Sequence, residues 1–69
     1  MNKQSQDIEI KIIQDDVCIY ATPIGLMKII KFCETLLANP KIGHIHMEDY
    51  NVLTENSRKT VIVMVTKET

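Results

Sequence analysis

One stretch, residues 22–40, decides the fold of this chain: TPIGLMKIIKFCETLLANP. Threonine caps a free backbone N–H, and a proline at the first helical position loses no hydrogen bond, so we predict a helix over residues 23–38. Asn39 and Pro40 end the helix, because asparagine tolerates a left-handed cap and proline cannot continue the hydrogen-bond ladder.

The predicted helix is amphipathic. At about 100° per residue its apolar side chains form one stripe, and its charged side chains gather on the opposite side. We expect the stripe to pack on a sheet; Met27 on the polar side and Phe32 at the edge are candidate partner contacts. The stripe consists of Leu26, Ile29, Ile30, Cys33, Leu36 and Leu37.

Two strands precede the helix. Residues 8–13 alternate apolar and charged side chains with period two, and residues 17–21 follow after turn-forming residues. The pair is typical of an antiparallel hairpin, and residues 1–7 are predicted to be a disordered tail. Cys18 and Tyr20 should point outward. The inward set is Ile8, Ile10, Ile12, Val17, Ile19 and Ala21.

Two further strands follow the helix, at residues 44–48 and 60–66, separated by a polar loop that Tyr50, Val52 and Leu53 anchor. The chain is therefore predicted to be a single small α+β domain over residues 1–69. Its β-β-α-β-β order gives a four-stranded, mainly antiparallel sheet with one helix packed on one face. Since one helix covers only one face, the other should be open to a partner. With Val61 inward, the outward set is Glu9, Lys11, Ile13, Cys18, Tyr20, His44, His46, Glu48, Ile62 and Met64.

Composition narrows the class of partner. An apolar fraction of 45% and a charged fraction of 25% are typical of a folded protein. A net charge of −1 with dispersed basic residues, and an aromatic fraction of only 4%, argue against direct nucleic-acid binding. With neither an apolar signal segment nor a stretch long enough to cross a membrane, we expect a cytoplasmic protein without membrane contact.

The sequence contains few residues that could bind a metal or catalyse a reaction. His44, His46 and Glu48 share one strand face, but no second group of ligands accompanies them, so we predict neither a metal site nor a cofactor. Cys18 and His46 share the open face, yet the chain has no glycine-rich loop or strained nucleophile motif, and we assign no catalytic residue. Cys18 and Cys33 should lie on opposite faces of the sheet as free thiols.

Three motifs resemble the immunity protein 32 family of bacterial polymorphic toxin systems. Residues 22–26, TPIGL, look like the family's Asn-Pro-Glu-Gly-Leu helix start; residues 44–48, HIHME, resemble its His-x-His-Leu-acidic strand. Residues 53–57, LTENS, with 61–63, VIV, are similar to its closing loop and strand. Threonine and isoleucine here replace the family's usual Asn and Glu; threonine keeps the capping chemistry, whereas isoleucine removes a first-turn carboxylate.

The resemblance implies that the protein binds a cognate toxin and occludes its active site or another surface that it needs. Such inhibition relies on a few central anchors inside a complementary charged rim. A basic toxin such as a nuclease would suit an acidic rim. The implied anchors are Tyr20, His44, His46 and Tyr50, and the implied rim is Glu48, Asp49 and Glu55.

Two alternatives stay open at the level of sequence. The first is a homo-oligomeric structural or regulatory module that assembles through the open sheet face or an edge strand, with Ile13, Ile62 and Met64 as its seam. The second is a small metal-dependent enzyme that uses His44 and His46. Whether the chain is a monomer or a homodimer, and whether the sheet face or the helix face is the interface, also stays open.

Overall fold

The computed structural model describes residues 6–65, and within them the chain is α+β in the predicted β-β-α-β-β order. Of the predicted disordered tail, residues 1–5 lie outside the described residues. The elements are strands β1 (Ile8–Ile13) and β2 (Asp16–Ala21), helix α1 (Pro23–Ala38), and strands β3 (His44–His46) and β4 (Val61–Val63). Short 3-10 helices span Pro40–Ile42 and Met47–Tyr50.

The described strands form two separate two-stranded antiparallel sheets, β1–β2 and β3–β4, in place of the predicted four-stranded sheet. The reason lies at the second edge of β1, which is occupied by residues 52–58, here called the closing segment. Ile8 forms a parallel bridge with Leu53 in this segment. An edge that is already hydrogen-bonded cannot also accept β3 or β4, so the second hairpin forms its own sheet.

The closing segment forms hydrogen bonds to the backbone of β1 through both its backbone and its side-chain groups. The Ile8 N–H donates to the Val52 carbonyl at 3.0 Å, and the Thr54 N–H donates to the Ile8 carbonyl at 2.9 Å. Further along, the Ile10 N–H donates to the Ser57 hydroxyl oxygen at 2.8 Å. The loop that was predicted to fold back therefore does so, with Val52 buried at 4% exposure.

Helix α1 begins and ends where the sequence predicts. Thr22 is its N-cap, and its hydroxyl oxygen accepts from the Gly25 N–H at 3.0 Å. Asp7 holds the same helix start, because its carboxylate accepts from the Thr22 hydroxyl at 3.1 Å and from Lys28 Nζ at 2.9 Å. At the other end Asn39 has φ −132° and not the predicted left-handed cap, since a following proline disfavours helical backbone.

The core-facing side of α1 differs from the predicted stripe. Gly25, Phe32 and Leu36 are buried, whereas Leu26, Ile30, Cys33 and Leu37 of the predicted stripe are exposed. Phe32, a candidate contact, is therefore a core residue and not part of a partner surface. Gly25 explains the rotation, because a Cβ at this position would lie 2.5 Å from the Asp7 carbonyl oxygen. Without a side chain there, the helix turns this side toward β1, and Phe32 and Leu36 follow it into the core.

The β1–β2 hairpin extends beyond the core. Its strands are joined by a two-residue turn in which Gln14 and Asp15 both have positive φ. Ile8 and Ile10 are buried and Ala21 packs against the core. The prediction of an inward, buried position is wrong for the other three apolar residues on this face, because the core reaches only Ile8 and Ile10 of β1 and Ala21 at the end of β2. These are Ile12, Val17 and Ile19, which are 53%, 67% and 57% exposed.

The β3–β4 register inverts the prediction for the last strand. Ile45 pairs with Ile62, and directly paired residues lie on the same face of a hairpin. Since Ile45 is buried, Ile62 also faces the core, and Met64 two residues later packs there too. Val61, which was predicted to point inward, is instead exposed. The predicted outward positions of Ile62 and Met64 are therefore wrong.

Candidate partner-binding surface

The exposed face of the second hairpin combines two histidines with two valines. His44 pairs with Val63, and His46 pairs with Val61, so the four side chains share one face, here called the histidine–valine face. All four are exposed. The imidazole rings of His44 and His46 lie 5.0 Å apart between centroids, in an edge-to-face arrangement with an interplanar angle of 85°. The face thus presents an apolar surface beside polar ring nitrogens.

Glu48 fixes one end of this face, although it lies in a 3-10 turn and not in the predicted strand. One of its carboxylate oxygens lies 3.1 Å from His46 Nδ1, and the other accepts from the Thr60 N–H at 3.1 Å. The carboxylate therefore orients the His46 ring and ties it to the residue that precedes β4. Because the His46 ring is already held in one orientation, binding at this face would lose less side-chain entropy than binding to a freely rotating ring.

The pKa of Glu48 is lowered from its usual value. The largest cause is a hydrogen bond from its own backbone N–H, and the bonds from His46 and Thr60 add to it, while partial burial opposes the shift. Glu48 is consequently a carboxylate near neutral pH. The histidine–valine face is therefore flanked by a negative charge that is held in place by hydrogen bonds.

Tyr20 lies on the outer face of the first hairpin, opposite Glu9 in the β1–β2 register. Lys11 Nζ lies 5.8 Å from the Tyr20 ring centroid and forms a 2.9 Å ion pair with Glu9. Glu9 also accepts from the Thr54 hydroxyl at 2.7 Å, which connects this face to the closing segment. An open cleft of about 380 Å³ lies beside Tyr20 and Glu9.

The remaining predicted site residues occupy other positions. The Tyr50 ring packs against Phe32 with centroids 5.2 Å apart, so Tyr50 partly covers the core and is 55% exposed. Asp49 is exposed in the 3-10 turn of Glu48, and Glu55 is exposed in a turn of the closing segment. The structure thus joins His44, His46 and Glu48 directly, with Asp49 one residue further on.

Sequence reasoning missed Val61 and Val63 as members of the surface. Both possible faces of residues 60–66 are apolar, so period-two alternation does not select the one that is buried. A signal was present in β3, where isoleucine between two histidines identifies the inward position. Ile45 pairs with Ile62 across the hairpin, so Ile62 shares its buried face. This pairing, and not the apolar pattern of β4, leaves Val61 and Val63 exposed.

Within residues 6–65, no group of three or more histidine, cysteine, aspartate and glutamate side chains is placed to hold a metal ion. Over the same residues, no helix has the length and apolar content needed to cross a membrane. Cys18 and Cys33 are free thiols, as predicted.

Comparisons with protein-family models, with curated proteins and with solved structures found no match to this chain. The resemblance of its motifs to immunity proteins therefore stays a prediction.

Proposed function

We propose that this protein is a small immunity-type binding protein that neutralises a cognate bacterial toxin by tight protein–protein binding, without catalysis. The observation that supports the proposal most is the histidine–valine face. It displays apolar and imidazole-ring surface on a hairpin beside fixed charges, and an apolar centre with a polar rim is the usual composition of an interface. The motif resemblance supplies the class of partner.

The acidic residues beside this face support a basic toxin surface as the target. Glu48 carries its charge in a fixed position, and Asp49 lies next to it in the same turn. A charged rim around an apolar centre accelerates association and excludes partners of the same charge. A nuclease, whose substrate-binding surface must be basic, fits this requirement.

The proposed anchors divide into two classes. His44 and His46 belong to the central face, and Glu48 and Asp49 belong to its rim. Tyr20, Tyr50 and Glu55 lie on other parts of the surface, so a toxin that contacts all of them must wrap around the second hairpin. We therefore expect the largest losses of affinity from the two histidines and smaller losses from these three residues.

The test is an affinity pull-down of the tagged protein from its native cells, with mass spectrometry of whatever co-purifies in stoichiometric amount. We expect a protein whose effector domain is toxic when expressed alone and harmless beside this chain. His44→Ala with His46→Ala should weaken that complex by about a thousandfold, since truncating two hot-spot side chains at about 2 kcal/mol each removes about 4 kcal/mol of binding free energy. The thermal stability should change little, because both side chains are exposed.

Ile24→Ala is the matched control, since Ile24 is 57% exposed on α1 and outside the proposed surface. It should retain full affinity. A double-histidine variant that unfolds but, where folded, binds with unchanged affinity would refute the placement of the site. Recovery of only further copies of this chain would refute the toxin partner.

The alternative homo-oligomeric module loses two of the three residues of its predicted seam. Ile62 and Met64 pack against the core and are not available on the open sheet face. Ile13, the third residue, is 43% exposed.

A further inference from the structure

The two histidines of β3 have the spacing of a pair of ligands for one metal ion. Residues two positions apart on a strand project from the same face, with about 6.5–7 Å between them. The rings of His44 and His46 come closer than that, to 5.0 Å between centroids. Two imidazoles that bind one tetrahedral ion through nitrogen, at about 2.0–2.1 Å each, also place their ring centroids about 5 Å apart. The strand therefore holds both rings at the separation that a shared ion requires.

Glu48 determines which nitrogen of His46 is available to an ion. One of its carboxylate oxygens lies 3.1 Å from His46 Nδ1. Because an ionised carboxylate can only accept a hydrogen bond, Nδ1 carries the proton, and Nε2 of the neutral ring has a free lone pair. The other carboxylate oxygen accepts from the Thr60 N–H at 3.1 Å, which holds the carboxylate in place. A carboxylate that orients a histidine in this way is the usual neighbour of a metal-bound imidazole.

The surroundings of the two rings suit a cation from solvent. Both histidines are exposed, so an ion can reach them. In the described part of the chain no side-chain hydrogen bond holds the His44 ring, so it can turn toward His46 without breaking one. The cross-strand neighbours Val63 and Val61 have side chains without polar atoms, which leaves both rings free of competing donors there. The turn that follows β3 carries two acidic residues.

We propose that His44 and His46 together bind one divalent transition-metal ion of the zinc type, and that Glu48 is the positioning residue for His46. Imidazole nitrogen is a ligand that suits Zn²⁺, whereas Mg²⁺ prefers oxygen ligands. Within residues 6–65 no third histidine, cysteine, aspartate or glutamate is placed to join the pair as a ligand. Water therefore completes the coordination sphere, and the ion stays open to a ligand from outside the chain.

The sequence-based prediction of no metal site rested on the number of ligands. The structure adds the separation of the two rings and the hydrogen-bonded carboxylate that orients one of them. Both features belong to this chain alone. The metal site therefore does not depend on the proposed toxin partner, and it can be tested without one.

The test is isothermal titration calorimetry of Zn²⁺ into the Cys18→Ser, Cys33→Ser double variant, because the two free thiols would compete for zinc. We expect one ion per chain, and no binding of Mg²⁺ under the same conditions. In this background His44→Ala and His46→Ala should each weaken zinc binding by at least about a hundredfold, since the second imidazole no longer acts as a linked ligand. Zinc binding that survives either change would be an adventitious ion only and would overturn the inference, and so would the absence of binding before it.

The role of Glu48 is tested by Glu48→Gln, which should weaken zinc binding by about tenfold to a hundredfold because a neutral amide holds the Nδ1 proton less well. Asp49→Asn is the matched control: it removes the same charge from an exposed position one residue further on and should leave the affinity nearly unchanged. An equal loss in both variants would show that only net charge matters and would contradict the positioning role. Circular dichroism checks that each variant is folded.

Heteronuclear NMR of the imidazole rings tests the geometry without any substitution at the site. Before zinc is added, His46 should be protonated at Nδ1, as its contact with Glu48 requires. On addition of zinc, the Nε2 signal of His46 should shift together with a nitrogen signal of His44. A proton on Nε2 of His46, or a shift of only one ring, would overturn the shared site.

Discussion

Gly25 shows how one residue sets the packing of this protein. It lies in the first turn of α1, where a Cβ would lie 2.5 Å from the Asp7 carbonyl oxygen and 3.0 Å from Ile8 Cγ1. The first of these atoms belongs to backbone that is hydrogen-bonded to Thr22, so it cannot move freely. The absence of a side chain therefore brings α1 against the start of β1.

Gly25→Ala should destabilise the fold by about 1–2 kcal/mol. The overpacking cost of about 1–3 kcal/mol exceeds the gain of up to about 1 kcal/mol from the better helix propensity of alanine. A chain of this size should lose roughly 4–8 °C in Tm per kcal/mol. Thermal unfolding followed by circular dichroism measures the effect.

Ile24→Ala is the neighbouring control and should change the stability by less than about 0.5 kcal/mol, since the Ile24 side chain is exposed. An unchanged or higher Tm for Gly25→Ala would show that α1 does not depend on this close approach.

At the level of elements, the two hairpins differ in how far the sequence determines them. The β1–β2 register follows from alternation and a turn, and it was predictable. In β4 both faces are apolar, so the choice of buried face depends on Ile45 across the ladder. The α1 face was mispredicted for a related reason: the helix has apolar residues over much of its circumference, and Gly25 selects the buried side through a contact with β1.

Glu48 makes the β3–β4 hairpin sensitive to acid. Its pKa is lowered in the folded protein, first by its own backbone N–H and then by His46 and Thr60. A carboxyl group with a depressed folded pKa stabilises the fold at pH values above its unfolded pKa. That contribution is lost as the pH falls through the folded pKa.

Glu48→Gln should therefore flatten the acid dependence of stability. Urea unfolding from about pH 6 to about pH 3 should show a smaller decline for the variant than for wild type, with the difference greatest near pH 6. Glu55→Gln, at an exposed carboxylate in the closing segment, is the control and should follow the wild-type curve. If the free energy of unfolding declined with pH equally for wild type and for Glu48→Gln, Glu48 would not be a source of the acid sensitivity.

For the whole molecule, the sequence predicted the fold class, the element order and the boundaries of α1. It did not predict that the closing segment occupies the second edge of β1, because a Ser57 hydroxyl takes the place of a backbone acceptor there. Period-two alternation and strand propensity predict where strands form. They do not predict that a side-chain hydroxyl will accept a hydrogen bond in place of a backbone carbonyl. Of the candidate site, His44, His46 and Glu48 were found together, while Val61 and Val63 depended on the unpredicted register.

Ser57→Ala tests how much the closing segment contributes to the whole fold. The buried Ile10 N–H would lose its acceptor, and an unsatisfied buried donor costs about 1–3 kcal/mol. Urea unfolding should show a lower midpoint with an unchanged slope. Asn56→Ala, at the adjacent exposed position, should be neutral; a midpoint equal to that of wild type for Ser57→Ala would show that water replaces the hydroxyl.

The position of β1 between β2 and the closing segment also has a kinetic consequence. Its contacts with β2 close a short loop, but the bond from Ile10 to Ser57 joins residues 47 positions apart. Long-range closure is entropically costly and slows folding. During synthesis the first hairpin and α1 can therefore form early, while Ile8 and Ile10 keep one strand edge unpaired until Ser57 has emerged from the ribosome. During that interval the nascent chain exposes an unpaired strand edge that can pair with another chain. The risk of such misassembly ends when the closing segment hydrogen-bonds to β1.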